Sequence, residues 1–166
     1  PFAISIALME NDDPVAGVVY EVSGDESFTA WRSGGAWLNG QAIHVSKAAR
    51  LADSLIATGF PYSDFERLDA YMKCLTYFCK NTHGIRRLGS AAIDLAYLAC
   101  GRFEVFYEYG LHPWDIDAGI LLVREAGGRI SNFSGIESKL SGEEIVAANS
   151  GVFSEVLEIV SKFMKI

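Results

Sequence analysis

Residues 103–128 read FEVFYEYGLHPWDIDAGILLVREAGG, and the order of residue types in this stretch decides the class of fold. Phe103 to Tyr107 is an aromatic and β-branched run, the composition of a strand. Pro113 suits the first turn of a helix, where its missing N–H costs nothing. From Pro113 to about Ala126 the chain reads as a helix, which Gly127 and Gly128 stop. Residues 118–123 are apolar on every side, so this helix is buried on both sides, as in the middle layer of a sandwich. A strand, a polar loop and a buried helix in that order make one unit of a layered α/β protein.

The same alternation extends in both directions. Upstream, Ser54 to Thr58 is a short strand, and residues 64–80 form a helix with Phe65, Leu68, Met72, Leu75 and Phe78 at helical spacing. Gly84 to Leu88 is a strand. Ser90 caps a helix that runs to about Cys100 and ends at Gly101. This helix is apolar except for Asp94 and Tyr97. Downstream, Glu144 to Ala147 is the last strand, and residues 151–164 carry Val152, Phe153, Val156, Leu157, Val160 and Phe163 on one helical stripe.

The first fifty residues differ. Residues 2–9, Val15 to Val22, Phe28 to Trp31 and Ala36 to Leu38 read as antiparallel strands. Between them lie the turn clusters Asn11-Asp12-Asp13-Pro14, Ser23-Gly24-Asp25 and Ser33-Gly34-Gly35. Asn39-Gly40 suits a type I′ hairpin turn. Residues 1–166 therefore form a single domain, with an antiparallel sheet over 1–50 and an α/β portion over 51–166. No repeat, linker or low-complexity stretch interrupts it.

Composition narrows the function. Half of the 166 residues are apolar and 21% are charged, which is globular rather than disordered. A formal net charge of −7 opposes non-specific binding to nucleic acid or an anionic membrane. Cys74, Cys79 and Cys100 are odd in number and form no CxxC pair, so they read as reduced, mostly buried thiols of a cytosolic protein rather than a zinc site. No apolar run is long enough to cross a bilayer and no signal peptide is evident, so a cytoplasmic location is expected. The chain opens without Met, in a strand that already enters a core, so an upstream segment is expected.

The densest chemistry lies in residues 108–117, between a strand end and a helix start, where α/β folds place ligands. Asp115 reads either as a carboxylate favoured at a helix N-terminus or as a ligand for a hard divalent cation. Glu108 reads either as a solvated strand end or as an acceptor for substrate hydroxyls. Gly89-Ser90-Ala91 forms a second strand-to-helix junction, where free N–H groups can meet a polar ligand. Asp94 needs a structural hydrogen bond if buried. His112, without a second histidine nearby, is a poor transition-metal ligand. Arg86 and Arg87 read as a structural or interface pair before a phosphate site.

These residues carry a resemblance. Trp114-Asp115-Ile116-Asp117-Ala118-Gly119, followed by Glu125-Ala126-Gly127-Gly128, resembles the C-terminal signature of the inositol monophosphatase family. Gly89-Ser90-Ala91-Ala92 with Asp94 to Tyr97, then Gly101-Arg102 and Phe106-Tyr107-Glu108, is similar to the segment that precedes it in bacterial members. Gly34 to Gly40 resembles the family's glycine-rich hairpin. The similarity covers essentially the whole chain in order. It implies a layered αβαβα sandwich of the inositol monophosphatase and fructose-1,6-bisphosphatase type, here with the first layer incomplete. It also implies a homodimer and Mg²⁺-dependent hydrolysis of inositol-1-phosphate or a related polyol phosphate. By the resemblance, Asp115 is the catalytic metal ligand, Glu108 accepts hydrogen bonds from the polyol, and Gly89, Ser90 and Ala91 line the substrate pocket.

Two departures accompany it. Asp117 stands where the family usually has alanine, and positions two apart on a helix point about 200° apart, so Asp117 is not expected to share a metal with Asp115. The family's Glu-Glu pair and Asp-Pro-Ile-Asp-Gly-Thr motif, which hold the other metal ligands, are absent from these residues. The chain is thus expected to be a partial domain, the C-terminal two-thirds of the family's fold, with weak metal binding by itself. Competing readings are another phosphatase of the superfamily (acting on fructose-1,6-bisphosphate, histidinol phosphate or a nucleotide 3′-phosphate) and a non-catalytic binding or dimerisation module.

Overall fold

The computed structural model describes residues 2–62 and 64–164. Five consecutive antiparallel strands form the first sheet: β1 (Ala3–Glu10), β2 (Asp13–Glu21), β3 (Glu26–Trp31), β4 (Ala36–Leu38) and β5 (Gln41–Ile43), each paired with the next. The turns are those the sequence asks for. Asn11 and Asp12 both take positive φ, as do Asn39 and Gly40, the conformation of a type I′ turn. Strand alternation then sorts the side chains. Small residues of β1 (Ala3, Ser5, Ala7) face inward, and Ile4, Ile6 and Leu8 face out opposite Tyr20, Val18 and Ala16 of β2.

The second sheet has the order β7-β6-β8-β10-β9. It comprises β6 (Leu55–Thr58), β7 (Gly84–Arg86), β8 (Val105–Tyr109), β9 (Arg129–Ser131) and β10 (Glu144–Ala148). Strand β6 runs parallel to both β7 and β8, and β10 is antiparallel to β8 and β9. Four helices complete the chain: α1 (Leu68–Asn81), α2 (Ala91–Ala99), α3 (Pro113–Glu125) and α4 (Phe153–Met164). Helices α2 and α3 lie between the sheets and share one core with their inner faces, through Val19, Phe28, Leu95, Phe106, Ile116 and Leu122. Helices α1 and α4 cover the far face of the second sheet and form a second core around Tyr71, Phe78, Tyr107 and Val156. The buried, apolar character of α2 and α3 is explained by this middle position.

The described residues thus build four layers in the order β, α, β, α. The outer face of the first sheet leaves Ile4, Ile6 and Leu8 more than half exposed (54%, 61% and 62%), as expected for a sandwich whose first layer is incomplete. The two middle helices approach closely because of a glycine. A Cβ added at Gly119 would lie 2.6 Å from Leu95 Cδ1 and 2.7 Å from its Cβ.

Several expectations change. Helix α1 starts at Leu68 rather than at 64, and Phe65 is 57% exposed before it. Its buried face is Tyr71, Cys74 and Phe78, and Met72 is exposed. Tyr71 is an amphipathic residue whose ring is buried and whose hydroxyl is satisfied, so hydrophobic spacing alone missed it. Strand β8 extends past Tyr107 to Tyr109, which puts Glu108 inside the strand rather than at a solvated end. Strand β9 was not expected: three residues are too few to show a period. Of the three cysteines, all free, only Cys74 is fully buried and Cys79 is exposed.

Candidate active site

The parallel strands β6 and β8 end on the same side of their sheet, and α2 and α3 begin there. At this edge lies a cavity of about 410 Å³ lined by Tyr62, Gly89, Ser90, Ala91, Glu108 and Asp115, together with the loop leading into α3. The five residues that the resemblance assigns to the site therefore share one pocket, at the strand ends where α/β sheets bind ligands. Another hollow, about 350 Å³ and lined by the 136–144 loop, contains none of them.

Asp115 occupies the first turn of α3, after Pro113. Its Oδ2 accepts a hydrogen bond from the His112 N–H at 3.0 Å, which closes the helix start. The helix-start reading of Asp115 is therefore realised in the structure, and it uses only one carboxylate oxygen. The His112 ring stacks on Trp114 with centroids 4.5 Å apart. Asp117 lines hollows on the other side of α3, one of them beside Ser5, Ala7 and Pro113, away from the Asp115 pocket. Burial raises its pKa.

Glu108 is 5% exposed. Burial pushes its carboxyl up to about 8, the charges of Asp94 and Asp115 push the same way, and Arg87 opposes them. Asp94, on α2, is 1% exposed. Its Oδ1 has no hydrogen-bond partner among the described residues, so the expected structural hydrogen bond to this atom is missing. Burial raises its carboxyl to about 7, against the pull of Arg87. Arg87 is exposed, donates to the Tyr62 hydroxyl at 3.1 Å and lies over the Phe60 ring. Arg86 donates to the neighbouring Ile85 carbonyl instead.

Ser90 stands at the N-cap of α2, as expected, but its side chain makes no capping hydrogen bond. The first-turn N–H groups of α2 are therefore not capped by Ser90 at the pocket wall, where a polar or anionic group can meet them.

Sequence reading missed a group behind Glu108. The Thr58 hydroxyl donates to the Tyr107 carbonyl at 2.6 Å, the Tyr71 hydroxyl donates to the Gly59 carbonyl at 2.6 Å, and the two hydroxyls are 2.8 Å apart. The available signal was a tyrosine at the inward position of α1 and a glycine just after a strand. Also missed was Glu125, whose carboxylate accepts from the Ser33 and Gly35 N–H groups at 2.8 and 2.9 Å and ties α3 to the first sheet.

Among the described residues, no group of three or more His, Cys, Asp or Glu side chains is arranged to hold a metal ion. Asp115 offers one oxygen beyond the one used in its cap. A magnesium ion needs several oxygen ligands near octahedral geometry, so these residues do not by themselves fit it.

In this layered α/β fold, two carboxylates, a helix start that Ser90 leaves uncapped and small residues thus surround one cavity. The model of the inositol monophosphatase family matches residues 1–164. An inositol-1-monophosphatase of Mesorhizobium japonicum is 41% identical over 161 residues, covering 97% of this chain and 60% of that protein. The Nus factor SuhB of Pseudomonas aeruginosa is 42% identical over 161 residues, covering 96% of this chain and 59% of that protein. The crystal structure of the extragenic suppressor protein suhB from Bartonella henselae aligns with a TM-score of 0.91 at 41% identity, covering 98% of this chain and 62% of that one. The chain belongs to the inositol monophosphatase family. It spans about 60% of the length of these relatives.

Proposed function

We propose that this chain is the substrate-side portion of a magnesium-dependent phosphatase that hydrolyses inositol-1-phosphate or a related polyol phosphate. The observation that carries the reading is the meeting of Glu108 and Asp115 in one cavity at the start of α2. Glu108 is a buried acceptor for the hydroxyls of a polyol. The N–H groups at Gly89, Ser90 and Ala91 face the polar part of the ligand. Asp115 contributes one oxygen to magnesium, and the remaining ligands come from outside these 166 residues. The family's homodimer belongs to the same proposal. Sugar bisphosphates, histidinol phosphate and nucleotide 3′-phosphates are the competing substrates, and each carries fewer free hydroxyls than inositol-1-phosphate does.

A second reading is a Nus-factor role, favoured by the names of relatives such as the one from Pseudomonas aeruginosa. It does not require phosphate release.

The test uses a form extended upstream to the length of the relatives. Phosphate release from a panel of phosphate monoesters is measured with and without Mg²⁺. Inositol-1-phosphate is expected to be the preferred substrate. Asp115→Asn should lower its turnover by about 100-fold or more, at least the loss typical of removing a metal site's outer-shell partner. The unfolding midpoint should hardly move, because the asparagine oxygen still accepts the His112 N–H. Full activity in the variant would remove Asp115 from the metal site, and no hydrolysis of any polyol phosphate would leave the second reading in place.

A further inference from the structure

Behind Glu108, the hydroxyls of Thr58 and Tyr71 bond the backbone of β8 and of Gly59. Gly59 follows β6 directly and abuts the carboxylate of Glu108 on the neighbouring strand. A Cβ added there would fall under 3.0 Å from Glu108 Oε1, Cδ and Oε2. The φ of Gly59 lies outside the left-handed region, so alanine would add no backbone strain, and these carboxylate atoms are the nearest obstacle. Glu108 is buried and lines the pocket, so the pocket offers its carboxylate room to yield.

Gly59 is also held in place. Its carbonyl accepts the Tyr71 hydroxyl, and the Thr58 hydroxyl bonds the carbonyl of Tyr107, the residue before Glu108. Two hydroxyl protons serve three short contacts, so Thr58 and Tyr71 form one shared network rather than two independent bonds. Tyr71 is fully buried, and its ring packs on Tyr107 and Tyr109 with centroids 5.6 and 5.9 Å away. These two residues flank Glu108 on β8 and point to the opposite face of the sheet. Helix α1 thereby fixes both the strand that carries Glu108 and the glycine that gives its carboxylate room.

We propose that Gly59, held by the hydroxyls of Thr58 and Tyr71, positions the Glu108 carboxylate and sets the preference for substrates that present hydroxyl groups to it. Gly59 touches no reacting atom and acts through Glu108. The proposal rests on the polyol phosphatase reading above for its substrate. A methyl at position 59 would displace the carboxylate by about 1 Å or more to reach van der Waals contact. Misplacement on that scale can cost about 100-fold where geometry is tight.

The experiment compares Gly59→Ala and Tyr71→Phe in the form extended to the length of the relatives, with inositol-1-phosphate and phenyl phosphate, which lacks hydroxyl donors. Gly59→Ala should raise KM for inositol-1-phosphate at least 10-fold more than KM for phenyl phosphate, and Tyr71→Phe should move the ratio the same way by less. In a Glu108→Ala background, Gly59→Ala should add nothing. An equal KM change for both esters, or the same effect with and without Glu108, overturns the proposal. Should Gly59→Ala fail to fold, Glu108→Ala must restore folding, and failure to restore it is equally fatal. An activity-independent readout is the carboxyl ¹³C resonance of Glu108, which must shift in Gly59→Ala. That readout separates the two ideas: if the unmodified protein hydrolyses no polyol phosphate, the function fails while the resonance still decides the positioning.

Discussion

Asp94→Asn should stabilise this fold at neutral and alkaline pH and leave it nearly unchanged in acid. The carboxyl is 1% exposed, its Oδ1 has no partner among the described residues, and burial raises it from 3.8 to about 7. The folded state therefore keeps this proton until about pH 7, while the unfolded chain releases it near pH 4. Between those values the folded state binds more protons than the unfolded state, so stability falls as pH rises and levels off above the folded pKa. A shift of about three units at 1.36 kcal/mol each corresponds to about 4 kcal/mol. Asparagine escapes this titration, and its amide is buried with the same lack of partners as the protonated carboxyl, so that cost is common to both proteins. The net gain at pH 8 is then up to about 4 kcal/mol. Urea unfolding of both proteins at pH 4.5, 6 and 8 reads it directly: the midpoints should diverge as pH rises, with equal m-values. Parallel pH profiles, or an asparagine variant less stable at pH 8, would refute the reasoning and mean that the carboxylate is partnered. Because the charge of Asp94 also raises Glu108, the variant should titrate Glu108 below about 8.

Two further substitutions probe how the layers are joined. Glu125→Ala removes the acceptor for the Ser33 and Gly35 N–H groups; a loss of about 1.5–3 kcal/mol in denaturant unfolding is expected, with partial recovery in Glu125→Gln. Gly119→Ala drives a methyl into Leu95 and should cost about 1–3 kcal/mol; the loss should shrink only in part in a Leu95→Ala background, because alanine keeps the Cβ that lies 2.7 Å away.

The sequence made the alternation of strands and helices legible because two local signals agreed. Apolar runs had clear periods, and the breaks between them held residues suited to their turns, as at Asn39-Gly40. Four of the five pocket residues, Gly89, Ser90, Ala91 and Asp115, were legible because they sit at helix starts, which local patterns mark, and Glu108 lies one residue before the end of β8. The buried face of α1 was not, because Tyr71 counts as half polar until its hydroxyl finds the Gly59 carbonyl. Nor was the lack of a partner on Asp94 Oδ1, because an orphaned atom is a property of three-dimensional surroundings. Gly59 shows the same limit from the other side. Its purpose is to leave space for a residue 49 positions away, and nothing in the adjacent sequence records that.

Asp115 shows why a structural and a functional reading of one residue need not compete. A helix N-terminus favours an anion there, and the His112 N–H fixes one carboxylate oxygen at 3.0 Å. That bond sets the direction of the carboxyl group, so its second oxygen is pre-aimed without further restraint. A side chain already immobilised by its cap loses less entropy when it takes on a ligand. Pro113 strengthens the effect by fixing the backbone of the same turn. On the proposed function the cap and the ligand role therefore call for the same residue at the same place, and the helix start would be part of what makes Asp115 a usable ligand.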